Sequence, residues 1–290
     1  MGTRHWQFPI ASITPPGMLI PCRDTHYYGV RLGEGPPLVC LHGGFGLDHT
    51  YFRPALDPLA CAAQLLYLDL RGQGRSPIDA AWTFSLETLV EDLEAIRREY
   101  GWDRWSLLGH SGGGLLAAAY ASRYPGQCQS LIVVSSFPYY PFEAPEWFAK
   151  IRELDDPEIN SGVEMFLAGL TNDADYREAF LKIAPLFFAD PCHADCTPFS
   201  RVIYRVRPYL ESTGSATRIH CGEALRGFTR PVLAIHGSHD YRVPKALATA
   251  WRTYVPQMAY VELPQTGHFP FLEAPTDFVD VVAKFLRKRD

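Results

Sequence analysis

The stretch from Ser106 to Ala118, S-L-L-G-H-S-G-G-G-L-L-A-A, constrains this chain most. It reads as a short apolar strand over Trp105 to Leu108, a tight turn, and a helix of small and apolar residues over Gly113 to Tyr124. The turn spells Gly109-His110-Ser111-Gly112-Gly113, a G-x-S-x-G pattern. A serine between a strand end and a helix start sits on a sharp, strained turn with its hydroxyl pushed outward. Strand and helix pass so close there that only small residues fit beside it. The helix N-terminus behind Ser111 offers free N–H groups and a partial positive charge to an anion forming at that point. These are the needs of a nucleophile in acyl transfer, in the strand–turn–helix context the pattern requires.

The rest of the chain alternates in the same way. An edge strand is expected over Gly17 to Pro21 and a second over Thr25 to Leu32, followed by the buried run Pro37 to Leu41. That run leads straight into His42-Gly43-Gly44-Phe45-Gly46, where glycines let backbone N–H groups approach a ligand. A helix capped by Asp48 or Thr50 is expected through Leu59, then a strand over Gln64 to Leu70. Asp69 and Arg71 read as pins of the polar glycine loop that follows. Ser85 caps an amphipathic helix to Tyr100, and a strand follows the elbow helix at Ser130 to Ser135. Buried strands alternating with helices imply an α/β fold with a mostly parallel sheet covered on both faces. Chemistry in such sheets collects beyond the carboxyl ends of the strands.

From 137 to 228 the rhythm changes to aromatic-rich helical segments with no clear strand: Trp147 to Leu154, Ser161 to Leu170, Ala174 to Phe188 and Pro198 to Leu210. This reads as a helical lid inserted into a core made of residues 1–136 and 229–290, and as the part that selects the substrate. Alternation resumes with the strand Pro231 to His236, a helix from Pro244 to Tyr254, the strand Met258 to Leu263 and a closing amphipathic helix, Pro275 to Arg287.

A serine hydroxyl needs a base, and the base needs a third group to orient it. The elbow therefore predicts an acid and then a histidine, each just past a later strand end. Asp240 and His268 meet both conditions of order and position. His236 and His239 are the competing bases; His236 ends an apolar strand and reads as packed, and His239 adjoins Asp240 too closely to be oriented by it. The amides of Gly112 and Gly44 are the natural pair of oxyanion donors. Phe45 and His110 are candidate walls of the substrate pocket.

Taken together, His42-Gly43-Gly44-x-Gly46, Asp69-x-Arg71-Gly72-x-Gly74-x-Ser76, Gly109-x-Ser111-x-Gly113, Gly237-x-x-Asp240 and Gly267-His268-Phe269 resemble the α/β-hydrolase fold superfamily. The H-G-G-x-G loop and the helical insertion are similar to its proline iminopeptidase-like branch, although Phe45 stands where that branch usually has proline. The resemblance implies a serine hydrolase working through an acyl-enzyme. Epoxide hydrolases and haloalkane dehalogenases, which look similar, carry aspartate at the elbow. The peptidase branch also implies lid glutamates that hold a free amino group, and Glu143, Glu146, Glu164, Glu178, Glu211 and Glu223 are available.

Composition bounds the partners. With 290 residues, 47% hydrophobic, the chain can bury a large core. Its net charge of −5 is spread without a basic patch, which argues against nucleic acid and anionic membranes as partners. No apolar run approaches the ~20 residues of a membrane span. The N-terminus has no signal-peptide pattern, so a cytoplasmic setting is expected. Seven scattered cysteines do not suit a disulfide framework, and Cys192, Cys196 and Cys221 match no strong zinc spacing. The expectation is a hydrolase of a small ester, lactone or amide that uses no cofactor or metal. An aminopeptidase and a non-catalytic small-molecule receptor are the alternatives.

Overall fold

The computed structural model describes residues 16–77, 84–140, 144–213 and 219–288. Its frame is an eight-stranded sheet. The strands are β1 (Met18–Cys22), β2 (Thr25–Leu32), β3 (Pro37–Leu41), β4 (Gln64–Leu68), β5 (Trp105–His110) and β6 (Cys128–Val134). A separate two-stranded ribbon, β7 (Tyr139–Tyr140) with β8 (Ile219–His220), precedes β9 (Val232–Gly237) and β10 (Ala259–Leu263). The order across the sheet is β1-β2-β4-β3-β5-β6-β9-β10. The β1–β2 and β2–β4 pairs are antiparallel, and every other pair in this sheet is parallel. Strands β3 and β5 are apolar because they lie mid-sheet with both faces covered.

Helices α1 (Leu86–Glu99) and α2 (Gly112–Arg123) cover one face. Ser85 caps α1, its side chain accepting from the Thr88 N–H, and Leu89, Leu93 and Ile96 line the buried stripe. The closing helix Pro275–Arg287 covers the other face with Phe278 and Val282. Asp69 and Arg71 are pins: Asp69 accepts from the N–H groups of His49 and Arg75, and Arg71 bridges Asp24 and Asp92.

Between β6 and β9 the chain leaves the large sheet and forms the helices α3 (Pro145–Leu154), α4 (Pro157–Ala168) and α5 (Asp173–Ile183), followed by shorter turns. The helix expected after Asp48 is instead two 3₁₀ turns, His49–Phe52 and Asp57–Cys61. Pro54 and Pro58 remove the N–H groups a continuous helix would use there. The helix expected over Pro198 to Leu210 is broken into Thr197–Ser200 and Val206–Thr213. Tertiary contacts claim the backbone between them: the N–H of Ile203 bonds Asp48 Oδ2 at 3.0 Å and that of Arg205 bonds the Gly46 carbonyl at 2.7 Å. The β7–β8 ribbon, two residues a side, is too short to leave a period-2 signal in sequence.

Candidate active site

Strand β5 ends at His110, and Ser111 takes the turn into α2 with φ 51° and ψ −119°. A non-glycine residue seldom holds a positive φ, so the surroundings must enforce it. They do so with hydrogen bonds to its backbone, of which three are short. Ser111 N–H donates to the Val134 carbonyl at 2.8 Å, and its own carbonyl accepts from Gly114 N–H at 3.0 Å and Ser136 Oγ at 2.7 Å. The flanking glycines are steric requirements. A Cβ on Gly109 would lie 2.2 Å from the Gly113 carbonyl oxygen, and one on Gly113 would lie 2.2 Å from that of Leu41.

The loop after β3 packs directly on this turn, since a Cβ on Gly43 would meet Ser111 Cβ at 2.7 Å. Its amides are apportioned. Gly43 N–H donates to Tyr51 Oη at 2.7 Å and Gly46 N–H to Gln73 Oε1 at 2.6 Å. The amides of Gly44 and Gly112 have no acceptor among the described residues. Gly44 and Gly46 turn the loop with φ of 62° and 96°.

The loops after β9 and β10 carry the other two groups. His268 Nδ1 lies 2.8 Å from Asp240 Oδ2, with both residues buried. The second carboxylate oxygen, Oδ1, accepts from the N–H groups of Arg242 and Val243, each at 2.9 Å. Burial alone would raise the Asp240 carboxyl; the facing charge of His268 and its hydrogen bond outweigh that and hold it below the usual carboxylate value. An ionised carboxylate only accepts, so His268 donates this bond from Nδ1 and its ring is oriented by Asp240. His268 is held on its other side too, its N–H donating to the Phe187 carbonyl at 2.7 Å. Glu273 ties Gly267 N–H to Ala189 N–H through its two oxygens, at 2.7 and 2.8 Å. Ser111 Oγ makes no hydrogen bond among the described residues, and it lines the same cavity as His268.

His236 is buried with Nδ1 3.8 Å from Asp240 Oδ2, beyond hydrogen-bond range, and His239 sits with Ser238 at the surface. His110 borders the cavity, but both of its ring nitrogens are engaged by protein. Nδ1 is 3.0 Å from Tyr51 Oη and Nε2 is 2.9 Å from the His268 carbonyl, so it has no hydrogen bond left for a substrate. Phe45 lines the cavity, lies over Gly112 and meets Phe84 edge-on at 4.7 Å between centroids. Tyr51, Gln73, Phe187 and Glu273 leave no signal in the sequence, because each acts through hydrogen bonds to loops distant in the chain and holds no fixed position in a motif.

The cavity in front of Ser111 has a volume of about 750 Å³. Its far wall is aromatic and comes from the insertion: Trp147, Phe148, Phe166, Tyr176, Phe187 and Tyr209. Arg242 borders it from the Asp240 loop, its guanidinium 6.0 Å from the Trp147 ring centre. No Asp or Glu is among its described lining residues. Glu146, Glu164 and Glu178 are exposed, Glu223 pairs with Arg226, and Glu211 binds Phe84 N–H and Arg207. Glu143 lies outside the described residues.

Comparison with known proteins agrees with this architecture. A family model described as the alpha/beta hydrolase fold matches residues 36–275. A pimeloyl-[acyl-carrier protein] methyl ester esterase of Aeromonas hydrophila is 27% identical over 262 residues, covering 88% of this chain and 97% of the esterase. A proline iminopeptidase of Lactobacillus helveticus is 38% identical over 162 residues, 54% of this chain and 55% of the peptidase. Among solved structures, that of VinJ superposes with a TM-score of 0.79 at 21% identity, covering 95% of this chain and 99% of VinJ.

Proposed function

The chain belongs to the α/β-hydrolase fold family, and from that premise we propose that it is a serine hydrolase that cleaves a carboxylic ester with an apolar acyl group. The observation that carries this reading is the buried 2.8 Å bond from Asp240 to His268, on the same cavity as the strained Ser111. In the proposed reaction His268 Nε2 takes the proton of Ser111 Oγ as Oγ attacks the substrate carbonyl. The amides of Gly44 and Gly112 hold the oxygen that becomes negative, each donor contributing about 3 kcal/mol in the transition state. The imidazolium, steadied by Asp240, returns its proton to the leaving alcohol, and water repeats the sequence to release the acid.

The cavity walls support an apolar acyl group, because aromatic surface gains by covering hydrocarbon and offers few partners to a polar chain. The Aeromonas relative acts, by its name, on a methyl ester of a pimeloyl group held on an acyl carrier protein. A hydrocarbon chain led through an aromatic cavity to the serine is the part of that chemistry this cavity suits. The aminopeptidase reading is favoured by the similarity to the Lactobacillus enzyme over half the chain. It needs a carboxylate for the free amine, and the described cavity lining supplies none. On this ground we favour an ester without a free amine.

Turnover of p-nitrophenyl esters and of Pro-, Ala- and Leu-arylamides, with free and blocked amines, tests the reading. Ester hydrolysis that disappears in Ser111→Ala is the expected result. A preference for free-amine arylamides would replace the esterase by the peptidase. A wild-type protein inert to every substrate, and to a fluorophosphonate that labels nucleophilic serines, would favour a receptor.

A further inference from the structure

Resting on the serine hydrolase reading, we propose that Tyr51 and His110 are positioning residues that lock the oxyanion loop to the loop of the catalytic base. A continuous chain of hydrogen bonds joins three loops on the carboxyl edge of the sheet. It starts at Gly43 N–H after β3, passes through Tyr51 Oη at 2.7 Å to His110 Nδ1 at 3.0 Å at the end of β5, and leaves from His110 Nε2 to the His268 carbonyl at 2.9 Å. Tyr51 and His110 are buried, with exposures of 0% and 1%.

The directions of these bonds are fixed by chemistry. The His268 carbonyl can only accept, so His110 carries its proton on Nε2. Burial, reinforced by the charge of His268, pushes the His110 imidazolium to deprotonate well below the ordinary histidine range, which leaves Nδ1 bare. Tyr51 therefore donates its hydroxyl proton to Nδ1 and uses its lone pair for Gly43 N–H. Every donor and acceptor along the path is used once, in one sense, so the path has a single arrangement.

Its end points matter for the reaction. Gly43 immediately precedes Gly44, the proposed oxyanion donor, and His110 immediately precedes Ser111. The last bond falls on the backbone of His268 itself. The distance between oxyanion donor, nucleophile and base is thus set by two side chains that line the cavity wall but have no polar atom free for the substrate. A displacement of about 1 Å in such a constellation costs on the order of 10²-fold in rate.

The test combines Tyr51→Phe, His110→Leu and His110→Gln with a control, Tyr120→Phe, which removes another buried hydroxyl far from the cavity, where it bonds Glu94. Tyr51→Phe and His110→Leu should each lower kcat on a p-nitrophenyl ester by about 10- to 100-fold, with KM changed less than about twofold. Fluorophosphonate inactivation should slow in parallel, since it needs the same donors. The double variant Tyr51→Phe/His110→Leu should be no slower than the worse single one, because the path fails as a unit. His110→Gln, whose amide can accept and donate, should recover most of kcat. Tyr120→Phe should lower the melting temperature and leave kcat unchanged. Wild-type kcat in Tyr51→Phe overturns the proposal, as does a His110→Gln that folds yet is as slow as His110→Leu. If Tyr51→Phe does not fold, His110→Gln against His110→Leu decides alone. A wild type that the fluorophosphonate does not label overturns the hydrolase reading and the positioning role with it, whereas a labelled wild type with indifferent variants overturns the positioning role only.

Discussion

The two sides of the cavity are held by different forces. On the sheet side, Gly43, Ser111, Asp240 and His268 follow four parallel strands and are joined by directed hydrogen bonds of 2.7 to 3.0 Å. Glycines there are packed against backbone with no room for a methyl group. On the insertion side, Phe148, Phe166, Leu167 and Tyr209 present apolar surface from helices, and Phe148 and Leu167 are 57% and 83% exposed. Directed bonds fix atoms to a fraction of an ångström, whereas hydrophobic packing fixes volume and tolerates exchange. On the proposed reaction, the sheet side is the part that should tolerate no exchange, and the insertion side the part where exchange should alter substrate preference and spare the rate.

Substitutions on the sheet side should be catastrophic for rate. Ser111→Ala should lower kcat by about 10⁶-fold and abolish fluorophosphonate labelling. Asp240→Asn should keep the fold and lower kcat by about 10⁴-fold, because the amide favours the wrong tautomer of His268. Activity within tenfold of wild type in either variant, measured by steady-state ester hydrolysis, would remove the contrast between the two sides.

Glycine substitutions separate the sides by stability. Gly113→Ala places its methyl carbon 2.2 Å from the Leu41 carbonyl oxygen, and β3 must move to admit it. The cost should reach about 3 kcal/mol, read by urea unfolding. In the insertion, a methyl group on Gly162 meets the Lys182 Cβ at 2.7 Å, Ile183 Cγ2 at 2.9 Å and the Ala179 carbonyl oxygen at 3.0 Å, all less severe than the 2.2 Å contact at Gly113. Gly162→Ala should cost less than Gly113→Ala; the reverse order would mean that the helices, and not the elbow, limit this fold.

Acid should act on the sheet side first. His42, His110 and His236 are buried there, and desolvation holds each below the ordinary 6.5 in the folded state. The unfolded chain then binds protons near pH 6.5 that the folded chain refuses, so the stability they contribute is whole above about pH 6.5 and falls as pH drops toward their folded values. Asp69 and Asp240 are held below 3.8 and lose their share only at much lower pH. The melting temperature should fall from about pH 7.5 to about pH 5, before the carboxylates titrate, and His236→Gln should flatten that slope. A melting temperature constant over that interval would place the acid sensitivity elsewhere.

The same contrast explains what could be read from sequence. The elbow, the H-G-G loop and the strand-end positions of Asp240 and His268 were legible because parallel strands are apolar runs and a nucleophile elbow tolerates few residues. Strand β3 and the closing helix fall where their patterns put them. The segment from Arg201 to Arg205 did not, because Asp48 and Gly46, more than 150 residues earlier, take the N–H groups its helix would have used. Tyr51 was hidden for the same reason: its partners, Gly43 and His110, lie in two other loops. Local pattern carries the sheet, and tertiary contact decides the insertion.

The smallest effect is the most informative about substrate. Of the exposed large hydrophobic residues among those described, Met18 and Leu19 lie on β1, and Phe148, Leu167 and Leu210 all lie on the insertion. Phe148 and Leu167 also line the cavity, so one apolar surface runs from Ser111 to the outside. An acyl chain long enough to reach them would cover surface that water now wets, and partial burial of a leucine contributes about 1 kcal/mol. Leu167→Ser should therefore raise KM about fivefold for long-chain p-nitrophenyl esters, leave it unchanged for the acetate, and spare kcat for both. Equal changes for long and short esters would mean that the chain ends inside the cavity and that the rim serves only to shape the insertion.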